Sequence, residues 1–159
     1  LTMQGHPSFS SLTVGECLRL AVDLRGKVAD GKITQLSMER VFELFPRLQE
    51  RSRVASGSLS GGERAMLSVA MPLVSGSAIM LLDEPSAGLA PATMAEFFKD
   101  LKRVSDETGI TMLIVEQNAF AVLPMCHHAY VMSEGKVVLE STPDELMADE
   151  KLAQSYLAY

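Results

Sequence analysis

Hydrophobic and polar positions along the chain fall into blocks with two different periods. In CLRLAVDLRG, Leu18, Ala21 and Val22 share one helical face, and Thr13 followed by Glu16 makes a capping-box pattern ahead of them, which predicts a helix over 14–24. A glycine-bearing loop, 26–34, leads to a second helical stretch over 37–45, apolar at Val41, Leu44 and Phe45 and stopped by Pro46. A third helix is predicted over 61–74, with Pro72 inside it. Proline there offers no N–H to the Ser68 carbonyl and costs about 3 kcal/mol in an interior turn, so a kink or an early end near Ala70 is expected. The period then changes. Ile79-Met80-Leu81-Leu82 and the run 110–115 are short, continuous and apolar, which reads as strands buried on both faces of a parallel sheet. Between them Met94, Phe97, Phe98, Leu101 and Val104 recur at helical spacing from Pro91 to Gly109, a core stripe rather than a cofactor box.

Further along, Asn118 caps a short helix holding Phe120, Val122 and Leu123 and broken by Pro124. The runs 129–132 and 137–139 flank Ser133-Glu134-Gly135-Lys136, a turn that joins a hairpin. Thr142-Pro143-Asp144-Glu145 supplies a cap, an N1 proline and an N3 glutamate for a final amphipathic helix. The first residues, punctuated by Gly5, Pro7 and serines, read as a strand end and loop. Helices alternating with short apolar strands indicate an α/β class.

Composition narrows the partners. A chain of 159 residues that is 47% hydrophobic buries the core of one globular unit. A net charge of −6 and a pI near 5.0 argue against nucleic acid, whose phosphates need clustered Lys and Arg. Cys17 and Cys126 are far apart and read as reduced, cytosolic thiols; His6, His127 and His128 lack ligand spacing and read as structural or solvated. No apolar run approaches the roughly 18 to 20 residues that span a bilayer, and the start has no signal-peptide order, so the chain reads as soluble or peripheral.

Candidate chemistry lies in LSGGERAMLSVAMPLVSGSAIMLLDEPSAGLAP, 59–91. Leu59-Ser60-Gly61-Gly62-Glu63 opens a helix whose free N–H groups and positive dipole end attract anions, phosphates above all. Ser60 with Glu63 is also a capping box, which would satisfy those groups without any ligand. Asp83 and Glu84 stand at the C-terminal edge of an apolar strand, where open α/β sheets bind ligands; the same pair could merely meet solvent or cap a helix. The order of these pieces is more specific than any one of them.

At these residues the chain resembles the ATP-binding subunits of ABC transporters. LSGGE is similar to the family signature, IMLLDE to the Walker B strand, and Ser86-Ala87-Gly88-Leu89 to the D-loop. LIVEQN, 113–118, and YVMSEG, 130–135, resemble the switch region and the strand after it. Met3-Gln4-Gly5 with Phe9 and Leu12-Thr13-Val14 look most like the ATPase subunits of branched-chain amino acid importers. The resemblance runs essentially the full length.

The resemblance implies a P-loop NTPase-type ABC ATPase fold, a mostly parallel sheet flanked by helices plus a helical subdomain. It divides the chain into a Q-loop region (1–12), a helical subdomain with the signature (13–76), and an α/β core with Walker B, D-loop, switch and C-terminal hairpin and helix (77–159). It implies ATP and Mg²⁺ as ligands, with Asp83 holding the metal through water and Gln4 touching the same region. Glu84 would orient and deprotonate the attacking water. Ser60, Gly61, Gly62 and Glu63 would close over the γ-phosphate held by a second ATP-binding subunit, in a homo- or heterodimer. Gln117 stands at the switch position, where most members carry His; an amide donates a hydrogen bond but carries no proton charge near neutrality. Transmembrane permease subunits would dock on an exposed apolar groove near Gln4 and Phe9, which puts the chain at the cytoplasmic face of a membrane. The implied cargo is branched-chain amino acids, with urea or another amide as the alternative.

Two departures qualify this. Met71-Pro72 replaces the Arg-Ala usual in the family, and no G-x-x-x-x-G-K-[ST] occurs in the sequence. The expectation is a C-terminal portion of a longer subunit, inactive alone, without tight ATP binding, and with a gap in its sheet. The competing expectation is a truncated, non-catalytic binding module.

Overall fold

The computed structural model describes residues 9–23 and 36–148. The expectations placed on Gln4 and its neighbours, on His6 and on the loop 26–34 lie outside these residues. In place of one globular unit the chain divides into two, between Val115 and Glu116.

The first unit begins with α1 (Val14–Asp23), started by the expected box: the Thr13 amide donates to Glu16 Oε2 (2.8 Å) and the Glu16 amide to Thr13 Oγ1 (3.3 Å). Its inner face, Val14, Cys17, Leu18 and Ala21, is buried. Ser37 caps α2 (Met38–Leu44), its Oγ accepting from the Arg40 amide (3.2 Å). Pro46 ends α2 and also starts α3 (Pro46–Glu50), where its missing N–H is no loss. The segment after α3 returns along the start of α1, with the Val14 amide on the Val54 carbonyl (3.0 Å) and the Ser56 amide on that of Leu12 (2.8 Å).

The next helix, α4 (Gly61–Ser75), does not end near Ala70 but runs as one element through Pro72. Its last turn buries Leu73 and Val74. At about 1.5–3 kcal/mol for each buried aliphatic side chain, that burial offsets the proline's cost. The helix stops one turn later at left-handed Gly76, whose amide donates to the Pro72 carbonyl.

From there the chain makes a β-α-β crossover: β1 (Ile79–Asp83), α5 (Pro91–Thr108), β2 (Thr111–Val115), with β1 and β2 parallel and in register from Ile79↔Thr111 to Asp83↔Val115. The expected stripe on α5 is buried at Phe97, Phe98, Leu101 and Val104. The expectation that both strand faces are buried is overturned. Met80 and Leu82 are buried, whereas Ile79, Leu81, Leu113 and Val115 are 59%, 38%, 57% and 57% exposed. Alternate side chains point to opposite faces of a strand, and no described element covers the second face. Among the described residues β1 pairs only with β2.

The second unit holds α6 (Ala119–Val122), a 3₁₀ turn at Leu123–Met125 begun where Pro124 breaks the helix, and the antiparallel strands β3 (Ala129–Ser133) and β4 (Lys136–Ser141). Glu134 (φ 49°) and Gly135 (φ 75°) join the strands with two positive-φ residues, the backbone twist of a tight hairpin turn. The last element, α7 (Pro143–Ala148), has its box in place, the Thr142 amide on Glu145 Oε2 (3.1 Å). Leu123 and Leu146 form the core of this unit, with Ala119, Ala129, Val131 and Leu139 packed on it.

Candidate functional site

The C-terminal end of β1 carries the acidic pair. Asp83 is the last residue of the strand and is exposed. Glu84 then leaves the strand in the left-handed region at φ 42°, a conformation that costs a residue with a Cβ roughly 1–2 kcal/mol. Its amide donates to the Val115 carbonyl at the end of β2 (2.9 Å), and its carbonyl accepts from the Ala87 amide (3.0 Å). The next turn repeats the device, with the Leu89 amide on the Ser86 carbonyl (3.0 Å), Ser86 buried, and Gly88 at φ 78°. Strain of this kind persists where the surroundings over-determine the backbone, and it accumulates at functional sites. Here it turns the chain out of β1 at Glu84, at the strand edge where open α/β sheets bind ligands.

The segment Leu59-Ser60-Gly61-Gly62-Glu63 forms both halves of its capping box. Ser60 Oγ accepts from the Glu63 amide (3.3 Å), and the Ser60 amide donates to Glu63 Oε2 (2.8 Å). The cap engages Ser60 and Glu63; among the described residues the Gly61 and Gly62 amides have no hydrogen-bond partner. The capping and anion-attracting readings therefore coexist, on different amides of one turn. Arg51 Nε donates to Glu63 Oε1 (3.1 Å). Sequence reasoning missed this contact, because nothing in the local pattern brings position 51 to position 63.

Glu63 gives a pH-dependent prediction. Partial burial works to raise its carboxyl, but hydrogen bonds from Ser60 and the Arg51 guanidinium overcome this and hold it below the ordinary value of 4.5. A carboxylate depressed in the folded state stabilises above its unfolded pKa, and that stability is lost as pH falls through the folded value. In urea unfolding followed across pH, Glu63→Gln is expected to be less stable than the parent by about 1 kcal/mol near neutrality. The gap should close as the pH drops below 4.5. A gap that stayed constant into acid would show that the charge contributes nothing.

Most of the predicted site residues fall within one unit. The signature turn packs against the stretch that follows the acidic pair: Gly61 faces Leu89 and Gly62 faces Thr93. Ser60, Gly61, Gly62, Glu63, Asp83, Glu84, Ser86, Ala87 and Gly88 thus all belong to the first unit, whereas Gln117 lies in the second, just before the α6 cap Asn118. Gln4 lies outside the described residues. Among those residues no group of three or more His, Cys, Asp or Glu could hold a metal ion. Asp83, exposed at the end of β1, offers a hard-oxygen donor of the kind Mg²⁺ takes, an ion that keeps several waters and binds through one or two carboxylates. No described helix is long and apolar enough to cross a membrane.

Comparison with known proteins follows the same lines. The chain is 39% identical over 154 residues to the high-affinity branched-chain amino acid transport ATP-binding protein BraG of Pseudomonas aeruginosa, covering 97% of this chain and 64% of BraG. It is 34% identical over 143 residues to the probable branched-chain amino acid transport ATP-binding protein LivF of Archaeoglobus fulgidus (90% of this chain, 59% of LivF). It is 31% identical over 151 residues to the lipopolysaccharide export system ATP-binding protein LptB of Escherichia coli (94% and 61%). The chain spans about three fifths of the length of these curated relatives. Among solved structures, CbiO1 from Clostridium perfringens, part of the ABC transporter complex CbiONQ, superposes with a TM-score of 0.71 at 27% identity, over 91% of this chain and 56% of that one. The ADP conformation of another ATP-binding cassette shares the fold, with a TM-score of 0.71 at 24% identity, over 91% of this chain and 62% of that one. The family model described as ABC transporter matches residues 2–87, which hold the capped turn at Ser60–Glu63 and the acidic pair Asp83–Glu84, and the chain belongs to that family.

Proposed function

We propose that this chain provides the signature and hydrolytic residues of the ATP-binding subunit of an ABC importer, in which ATP hydrolysis drives uptake of branched-chain amino acids. The observation that carries the reading is the backbone of Glu84: a left-handed residue, pinned to Val115 and Ala87, beside Asp83 at the ligand edge of a parallel strand pair. The similarity to BraG and LivF supports the cargo.

Phosphoryl transfer needs positioning and charge neutralisation more than covalent help. Asp83, with Gln4, would hold Mg²⁺, which would supply neutralisation of phosphate charge. Glu84 orients the attacking water and takes its proton, and Gln117 donates a hydrogen bond from its amide without carrying charge. Ser60 and the free amides of Gly61 and Gly62 receive the γ-phosphate of the nucleotide on a second ATP-binding subunit, with the D-loop residues Ser86, Ala87 and Gly88 beside them. The permease subunits meet the helical region around α1 to α3 on the side of Phe9, which is half exposed. That placement puts the protein at the cytoplasmic face of the membrane.

The test is Mg²⁺-dependent ATP hydrolysis by the full-length subunit. Asp83→Asn is expected to raise the Mg²⁺ concentration for half-maximal rate about 10-fold or more, by analogy with the loss of a metal-orienting group. Hydrolysis with an unchanged Mg²⁺ requirement would remove Asp83 from the metal.

A further inference from the structure

Glycine at position 62 has a cause that the nucleotide does not supply. Gly62 is the second residue of α4, buried, and its backbone is not in the positive-φ region that calls for glycine. A Cβ there would lie 2.6 Å from Thr93 Cγ2, a distance real Cβ atoms essentially never reach. The neighbouring Gly61 is less tightly placed: its Cβ would stand 3.2 Å from Leu89 Cδ2. Leu89 Cδ2 is the far end of a flexible side chain, which moves a few tenths of an ångström at little cost. The Thr93 methyl sits on a β-branched carbon in the first turn of α5, and such side chains are stiff at χ1.

We infer that Thr93 is a positioning residue: its methyl is the stop on which the N-terminal end of α4 rests, and it fixes where the Gly61 and Gly62 amides stand relative to the Asp83–Glu84 turn. The two features are joined through few bonds. Pro91 begins α5 shortly after the turn at Glu84–Leu89, so a shift of the first turn of α5 reaches both the acidic turn and the signature amides. That those amides meet a phosphate rests on the ATPase reading; the contact itself does not.

A substitution cycle in the full-length protein tests this, with thermal unfolding and ATP hydrolysis as separate readouts. Gly62→Ala overpacks the contact and is expected to lower Tm by about 3–10 °C, with a matching loss of hydrolysis. Thr93→Ser removes the methyl; Gly62→Ala combined with Thr93→Ser is expected to unfold within about 2 °C of Thr93→Ser alone and to recover hydrolysis. Thr93→Val keeps a γ-methyl and is expected to rescue neither. Thr93→Ser by itself is expected to raise the KM for ATP more than it lowers kcat, with Tm nearly unchanged, which a purely structural role would not do.

Failure of Thr93→Ser to rescue unfolding overturns the inference. So does recovery of Tm without recovery of hydrolysis, which assigns the glycine to the nucleotide. If Gly62→Ala gives no folded protein in either background, an unchanged KM in Thr93→Ser overturns it. Absence of hydrolysis by the unsubstituted protein counts against the ATPase reading instead, and the unfolding cycle still decides the contact.

Discussion

Glu84→Gln is expected to reduce ATP turnover by the full-length subunit about 10²- to 10⁴-fold, the range that a positioned general base contributes. Gln keeps the size and shape of Glu but loses the negative charge and, with it, the ability to accept a proton. The main-chain bonds that hold position 84, to Val115 and Ala87, do not involve the side chain. Gln meets the same left-handed backbone as Glu, so Tm should hardly move. Nucleotide binding should persist, because the anion-attracting amides at 61 and 62 and the Asp83 carboxylate remain. Steady-state hydrolysis, equilibrium nucleotide binding and Tm, measured on one preparation, check this. Undiminished turnover would take Glu84 out of the base role.

The largest effect on stability is expected from Phe97→Ala, a loss of about 3–5 kcal/mol. For a protein of this size that is a fall in Tm of about 6–20 °C. Phe97 is 1% exposed and lies 5.6 Å, centroid to centroid, from the tilted ring of Phe98. Truncation removes the ring and leaves a cavity between stiff neighbours on α5, the helix that links β1 to β2. The bridges from α5 to the neighbouring helices, Arg40 to Glu107 (2.5 Å) and Arg47 to Glu96 (2.9 Å), cannot make up the difference. Each is solvent-exposed and contributes about 0–1 kcal/mol. Denaturant unfolding checks the value, with Phe97→Leu as the volume-keeping control. A loss under about 1 kcal/mol would mean the site collapses around the missing ring.

What the sequence made legible was mostly local. The boxes at Thr13 with Glu16, Ser60 with Glu63 and Thr142 with Glu145 all form, because each is a bargain between residues three apart. The α5 stripe was equally plain, since one helical face repeats often enough to stand out from chance. Local rules failed where distant residues decide. Pro72 was expected to kink α4 or end it near Ala70, but the helix continues past it, and the burial of Leu73 and Val74 offsets the cost. The five-residue α3 is too short to show a period. Continuous apolar runs at 79–82 and 110–115 imply burial on two sides, whereas the fold buries one. At the candidate site the residue types were readable, as was their order. The left-handed turn at Glu84 carried no signal, because glutamate is not a residue that ordinarily marks such a conformation. Arg51 beside Glu63, and Thr93 beneath Gly62, are likewise products of tertiary packing.

The uncovered side of the β1–β2 pair has a practical meaning. Ile79, Leu81, Leu113 and Val115 present water with an aliphatic plate that no described element covers. Dyes that fluoresce in oily surroundings would light up on it in the native state, and ammonium sulfate would bring the protein out of solution early, since kosmotropic salts strengthen association of apolar surfaces. A lysine in place of Leu113, at the centre of that plate, would be the first change to make in a version meant for concentrated samples.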